Sequence, residues 1–242
     1  MLINILFLVA GISVIIYAAN LLVDGSASIA KKLKVSDIVI GLTIVAFGTS
    51  APELTVGIFS AAKGNTDLAL GNVIGSNIAN IFLILGASAF IFPLAIKKNT
   101  QWKEIPYLFF SSLLVVLFAN DVILGNSFEN TLSRTEGIVF LIFFIIFLFY
   151  TFRIAKEQPS EDVHSKIYSL PKSIIFIILG LCGLVGGGKI LIDGAVGIAT
   201  IAGISERIIG VTIVAVGTSL PELATSIVAA FKKKSDIAIG NV

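Results

Sequence analysis

Two glutamates, Glu53 and Glu222, lie deep within long apolar segments of the chain. An ionisable side chain in the middle of a membrane span costs at least about 2.5–3.5 kcal/mol, so it normally faces a polar cavity and has a function. Each glutamate is preceded by an alanine, a threonine and a serine, at a spacing that places all four residues on one face of a helix. The two faces consist of Ala46, Thr49, Ser50 and Glu53 in one segment and of Ala215, Thr218, Ser219 and Glu222 in the other.

The oxygen atoms on these faces indicate which ligand they would hold. Each face presents two hydroxyls and one carboxylate, which are hard oxygen donors of the kind that alkali and alkaline-earth cations prefer. The apolar segment Leu68–Leu94, which is the third predicted span, adds Ser76, Asn77 and Asn80. Ser76 and Asn80 are four residues apart and share a helical face. The sequence therefore predicts a cation site within the membrane.

A proline directly precedes each glutamate. Pro52 and Pro221 lack the N–H group that would bond the carbonyl four residues back, at Gly48 and Gly217, and the proline ring crowds that turn. Local unwinding is tolerated inside a membrane where the freed backbone lines a cavity. We therefore expect main-chain carbonyls near these prolines to turn toward the ion site.

The two motifs belong to an internal repeat. Ala18–Val73 aligns without gaps on Gly187–Val242 at a constant offset of 169 residues, and 26 of the 56 aligned pairs are identical. The core of the match is GLTIVAFGTSAPEL against GVTIVAVGTSLPEL. Five predicted spans separate equivalent points, so the second copy crosses the membrane in the opposite sense. Such inverted repeats are typical of secondary transporters, whose substrate site lies where the copies meet.

Inversion predicts that Glu53 and Glu222 face each other at one depth. Two bare carboxylates close together at low dielectric repel each other strongly. One divalent cation relieves that repulsion, and so do two monovalent cations or two protons, but the charge balance disfavours both kinds together. Mutually exclusive occupancy, coupled to alternate opening toward the two sides, predicts antiport.

The composition of the whole chain agrees with a polytopic membrane protein. Its mean hydropathy of +1.02, with 56% hydrophobic and 13% charged residues, lies outside the range of soluble domains. The clearest predicted spans are Leu2–Leu22, Leu68–Leu94, Ile105–Phe118, Ile138–Phe152, Ser173–Ile192 and Ile208–Phe231. The predicted fold class is therefore an all-α integral membrane protein.

The distribution of basic residues predicts the orientation. With the N-terminus outside, 13 of the 17 Lys and Arg residues lie in loops that face inwards, and three lie in loops that face outwards. We therefore predict a multi-pass protein of the cell membrane, surrounded by lipid. The net charge of +2 suggests no nucleic-acid partner, and the single Cys182 excludes an internal disulfide. The N-terminus lacks the pattern of a cleavable signal peptide.

The motifs GTSAPEL with GNVIGSNIAN, and GTSLPEL with GNV, resemble the alpha-repeats of sodium/calcium exchangers in the calcium/cation antiporter superfamily. This resemblance implies two inverted halves of five spans each, of which about seven or eight spans are present here. It implies calcium and sodium as transported ions, and the first and sixth spans as the pair that slides across the core. The implied ligands are the carbonyls of Ala46 and Ala215 and the side chains of Thr49, Ser50, Glu53, Ser76, Asn80, Thr218, Ser219 and Glu222.

The repeat also predicts the organisation of the chain. Residues 1–155 form the first repeat, 156–170 a central cytoplasmic loop, and 171–242 the second repeat. The first copy continues past its GNV triplet to Ser76 and Asn80, whereas the second stops at Val242. We therefore expect a C-terminally truncated chain that does not transport by itself.

Several alternatives remain open at the level of sequence. The motif favours sodium as the counter-ion, but a proton- or potassium-coupled antiporter of calcium or another divalent cation would use the same oxygens. A cation channel would also use glutamates and freed carbonyls. An intramembrane metalloenzyme is disfavoured because no predicted span contains a histidine. The sequence thus predicts a transporter without a cofactor, not an enzyme, and leaves its oligomeric state undetermined.

Overall fold

The computed structural model describes residues 1–64, 66–120, 131–157, 166–204 and 215–242, and every regular element in these ranges is helical. Most of the predicted central loop lies outside the described residues. The elements are α1 (Leu2–Leu33), α2 (Asp37–Ile40, Gly41–Val45 and Ala46–Thr49), α3 (Ala51–Ala62), α4 (Thr66–Ile78, Ala79–Ile84 and Leu85–Ile91), α5 (Thr100–Glu104 and Ile105–Phe118), α6 (Arg134–Glu157), α7 (Leu170–Ile201), α8 (Ala215–Thr218), α9 (Leu220–Phe231) and α10 (Ser235–Gly240).

Several of these helices are long and apolar enough to cross a membrane. Within the described ranges they are Leu2–Leu33, Ala69–Ile91, Arg134–Arg153 and Leu170–Ile201, with a fifth span if the bent pair α2 and α3 is counted as one. A hydrocarbon core is about 30 Å thick, so each of these segments is of sufficient length. The prediction of an all-helical, multi-pass membrane protein is confirmed.

Helices α1 and α7 extend beyond the spans predicted from hydropathy. Each has 32 residues, or about 48 Å at 1.5 Å per residue. The apolar run of α1 ends near Leu22, but its next turns carry Ser26 and Ser28, which are small enough to be fully buried. The helix therefore continues past the predicted apolar span, because burial against neighbouring helices, and not hydropathy alone, determines where it ends.

Helix α1 packs antiparallel against α7 along a seam of glycines. A Cβ atom at Gly11 would lie 2.7 Å from the Cβ of Leu191, and a Cβ atom at Gly180 would lie 2.8 Å from the Cβ of Leu22. These two contacts are related by the repeat, because Gly11 is equivalent to Gly180 and Leu22 to Leu191. Helices at equivalent positions that run in opposite directions are what an inverted repeat requires. The predicted inversion is thus present in the packing.

The helix ends repeat as well as the helix contacts. Helix α1 ends at Lys34 with φ 56°, and α7 is followed by Gly203 with φ 76°. After the next helices of each copy, Gly64 has φ 72° and Lys233 has φ 58°. This left-handed conformation favours glycine, and the repeat places a glycine and a lysine at each equivalent pair of positions. The backbone geometry is therefore retained in the two copies although the residue types alternate.

The chain divides into two compact units, Met1–Leu94 with Gln158–Val242 and Ala95–Glu157. In the first unit, the hydrophobic core lies where α1 packs against α7, α2 and α9, and α10 packs in turn against α2 and α9. In the second unit, α6 begins at a capping box, because Ser133 Oγ accepts from the Glu136 N–H and the Glu136 carboxylate accepts from the Ser133 N–H. The Tyr107 hydroxyl donates to the Phe143 carbonyl and holds α5 against α6.

The predicted division of the chain at 1–155, 156–170 and 171–242 follows the repeat and stays a prediction.

Candidate cation site

Each glutamate follows a break between two helices. Helix α2 ends at Thr49 and α3 begins at Ala51, with a bend of 48° between them. The residue at the break, Ser50, has φ −83° and ψ 9°, and its counterpart Ser219 has φ −86° and ψ 6°. The expected distortion therefore lies at the serine two residues before the proline, and each proline occupies the first turn of the new helix, where it needs no N–H partner.

Hydrogen bonds cross between the two copies at these breaks. The Ser50 hydroxyl donates to Glu222 Oε1 at 2.8 Å, and the Ser219 hydroxyl donates to Glu53 Oε1 at 3.3 Å. The two bonds are equivalent under the repeat, so each copy supplies the serine that holds the glutamate of the other. The two sequence motifs thus meet and form one site.

The second oxygen of each carboxylate has no partner within the described part of the chain. Glu53 Oε2 and Glu222 Oε2 are both buried and lack a hydrogen bond there. Glu222 is only 1% exposed, whereas Glu53 is half-buried, and the two carboxylates interact electrostatically. A buried acceptor without a partner costs about 1–3 kcal/mol, and more if it is charged. These oxygens are therefore free to accept a hydrogen bond or to coordinate a cation.

The hydroxyls of the first copy donate their protons away from the carboxylate oxygens that lack partners. Thr49 Oγ1 lies 3.1 Å from the Val45 carbonyl and 3.0 Å from Asn241 Oδ1. Ser76 donates to the Asn72 carbonyl at 2.7 Å. A hydroxyl has one proton and two lone pairs, so a hydroxyl that donates elsewhere still has lone pairs for a cation.

Helix α4 carries the remaining predicted ligands. Its first part, with Ser76, packs against α3 and α8, and its π-helical part Ala79–Ile84, with Asn80, packs against α9. Asn80 Oδ1 is buried and has no hydrogen-bond partner among the residues that the structure describes. The structure records no direct bond from Ser76 or Asn80 to either glutamate, so α4 brings these oxygens beside the paired helices and not into the carboxylate network itself.

The predicted carbonyl ligands lie in the last turns before the breaks. The Ala46 carbonyl accepts the Ser50 N–H at 3.0 Å and lies 3.2 Å from the Thr49 hydroxyl, which can also donate to it. In the second copy the Ser219 N–H donates to the Val216 carbonyl at 3.2 Å, one residue later. Thr218, on α8, interacts with the Glu53 side chain.

Two asparagines that the sequence analysis gave no role also join the site. Asn72 Nδ2 donates to the Glu53 carbonyl at 3.3 Å, and Asn241 Nδ2 donates to the Glu222 carbonyl at 3.1 Å. They are equivalent residues of the two GNV triplets. The sequence did show that an asparagine occupies this position in both copies. It did not show that the amide, at the start of a predicted span, would contact a glutamate 19 residues earlier.

Comparison with known proteins identifies the family. The family model described as sodium/calcium exchanger protein matches residues 3–153 and 172–242. The chain belongs to this family. The putative antiporter CaxA of Alkalimonas amylolytica is 40% identical over 100% of this chain and 76% of its own length. The sodium/calcium exchanger MaX1 of Methanosarcina acetivorans is 30% identical over 99% of this chain and 78% of its own length.

The solved structures of this exchanger family confirm the fold. A structure of the sodium-calcium exchanger NCX_Mj, soaked with 10 mM Na+ and zero Ca2+, matches with a TM-score of 0.85 and 34% sequence identity. The match covers 99% of this chain and 77% of that chain. The resemblance predicted from the alpha-repeat motifs, and the inverted-repeat membrane fold that it implied, are confirmed. The role of each predicted ligand stays a prediction.

Proposed function

We propose that this member of the exchanger family is an antiporter that exchanges calcium for sodium at the site between Glu53 and Glu222. The observation that carries this proposal is the pair of buried oxygens, Glu53 Oε2 and Glu222 Oε2, which lack partners among the described residues and repel each other. A calcium ion, or two sodium ions, would balance both charges. The proposed ligands are the ten oxygen-bearing residues named from the motifs.

The exchange itself follows from the shared use of one set of oxygens. Because the site presents two carboxylates, calcium and sodium compete for the same charge, and a site that holds calcium has no charge left for a pair of sodium ions. Binding of one ion therefore excludes the other. If the site opens alternately to the two sides, each crossing carries one kind of ion, and net movement of calcium requires return movement of sodium.

An asymmetry between the two copies supports alternating access. Helix α9 packs against α1, and Lys232 at its end forms a 2.6 Å salt bridge with Asp24 of α1. The equivalent helix α3 makes no comparable contact with α7, and no salt bridge joins Lys63 to Asp193, although both residues are described. With the N-terminus outside, α9 lies on the inner side and α3 on the outer side. This arrangement is that of a transporter closed on its inner side.

The salt bridge provides a test of this state. In a Cys182→Ser background, Thr225→Cys places a thiol at a fully buried position on α9. We expect Asp24→Asn to increase labelling of this thiol from the inner side by about two- to fivefold, because a partly exposed ion pair contributes up to about 1 kcal/mol. Asp193→Asn, the equivalent change in the other copy, should not increase it. An equal increase in both variants would contradict the proposed role of the salt bridge.

Counterflow in vesicles reconstituted with the full-length protein tests the proposed function. We expect calcium to enter sodium-loaded vesicles and to stop entering when the sodium gradient is removed, with voltage held constant. Replacing the sodium gradient by a potassium or a proton gradient should not restore uptake. Uptake driven by either of those gradients would assign a different counter-ion, and uptake that follows voltage alone would indicate a channel.

A further inference from the structure

Asn72 and Asn241 occupy equivalent positions and make equivalent contacts. Each side-chain amide donates to the main-chain carbonyl of the glutamate in its own copy, as described above. The glutamate carbonyl lies in the first turn after the helix break, where the backbone direction has just changed. A side chain that holds this carbonyl therefore fixes the start of the helix from which the carboxylate projects.

Asn241 also reaches across the boundary between the copies. Its Oδ1 accepts from Thr49 Oγ1 at 3.0 Å, and its Nδ2 lies 2.9 Å from Ser226 Oγ. Asn241 is 2% exposed and Thr49 is 1% exposed, so water does not substitute for these bonds. One amide thus connects α9 through Glu222 and Ser226 with α2 through Thr49.

The contact with Thr49 has a chemical consequence. Thr49 can direct its proton to the Val45 or Ala46 carbonyl of its own helix, at 3.1 and 3.2 Å. It can also direct the proton to Asn241 Oδ1 at 3.0 Å, and it interacts with the Glu222 side chain. An amide oxygen at this distance orients the hydroxyl proton away from a bound cation and leaves a lone pair for coordination. Asn241 is therefore suited to control the direction in which Thr49 presents its oxygen.

We propose that Asn72 and Asn241 are positioning residues of the cation site, with Asn241 orienting both the Glu222 backbone and the Thr49 hydroxyl. This inference rests on the proposed function, since it assumes that the two glutamates and Thr49 bind the transported ion. Neither asparagine is required to touch the ion. Residues that orient ligands in this way typically change metal affinity by about 10- to 100-fold when they are replaced.

Calcium binding to the purified protein, measured by titration calorimetry, tests this inference. We expect Asn241→Ala to weaken calcium binding by about 10- to 100-fold. Asn72→Ala should have a smaller effect because Asn72 is half-buried and its bond is longer, at 3.3 Å. Asn241→Asp, which is close to isosteric, keeps an acceptor for Thr49 but removes the donor to Glu222. It therefore provides a second variant if the alanine variant does not fold.

A double-mutant cycle separates positioning from a structural role. Thr49→Val should weaken calcium binding in the parent protein but cause little further loss in Asn241→Ala, because the orientation of the hydroxyl is then already lost. Asn120→Ala is the matched control, since the Asn120 side-chain amide donates only to the Val116 carbonyl, four residues earlier in the same segment, among the bonds of the described residues. This control should bind calcium like the parent.

The outcomes distinguish the inference from the proposed function. If both asparagine variants are folded and bind calcium like the parent, the positioning role is wrong. Independent, additive losses for Asn241→Ala and Thr49→Val would also overturn the link between them. If the parent protein itself shows no saturable binding of calcium or sodium, it is the proposed function that fails.

Discussion

Replacing Glu222 by glutamine in the full-length protein is expected to abolish calcium exchange while the protein remains folded and inserted in the membrane. Glutamine has the same shape but no charge, so two carboxylates become one and a calcium ion is no longer balanced. Because Glu222 is fully buried, solvent does not screen the charge that the substitution leaves unbalanced. Loss of a ligand exceeds the loss of a residue that orients one, so we expect exchange to fall by more than about 100-fold.

Vesicle uptake of calcium against a sodium gradient measures this effect. Glu53→Gln should be equally inactive, since the repeat gives both carboxylates the same role. The control is Glu136→Gln, because glutamine also completes the capping box at the start of α6 and this residue lies in the other compact unit. Normal exchange by either site variant would show that the paired glutamates are not the ion site.

Replacing Gly180 by alanine is expected to destabilise the protein and to impair exchange. A Cβ atom at this position would lie 2.8 Å from the backbone nitrogen and 2.8 Å from the Cβ of Leu22, and 2.9 Å from the Ala18 carbonyl oxygen. Because backbone atoms cannot turn aside, α1 and α7 would have to move apart. Overpacking of this kind typically costs about 1–3 kcal/mol.

The same helix offers a matched control for this substitution. Gly186 also lies in α7, but a Cβ atom there would have no atom within 4 Å. We expect Gly186→Ala to unfold at the parent temperature or slightly above it, and Gly180→Ala to unfold several degrees lower. Thermal unfolding in detergent and exchange in vesicles check both variants. Equal behaviour of the two would mean that the close approach of α1 and α7 is not needed.

The sequence predicted the main features of the fold because they depend on local and periodic properties. The depth of Glu53 and Glu222 follows from the apolar residues around them, and inversion follows from the number of spans between equivalent points. The ends of α1 were not predictable in the same way. Hydropathy changes at Leu22, but the helix continues to Leu33 because its small residues are buried against other helices.

The candidate site was predictable as a set of residue types but not as a network. The spacing of Thr49, Ser50 and Glu53 places them on one helical face, which is a property of the helix alone. The donation from Ser50 to Glu222 depends on how two distant segments cross, and no periodicity describes that. The link from Asn241 to Thr49 joins residues 192 positions apart for the same reason.

The sequence by itself determined that this protein has one motif in two inverted copies, with a carboxylate of each copy within the membrane. It could not determine which of the two equivalent Asp–Lys pairs forms a salt bridge, because Asp24 and Lys232 are identical in type to their equivalents Asp193 and Lys63. Only the tertiary structure decided that the first pair forms a salt bridge and that no such bridge joins the second. The physical reason is that identical residues make different contacts once the helices of the two copies pack differently.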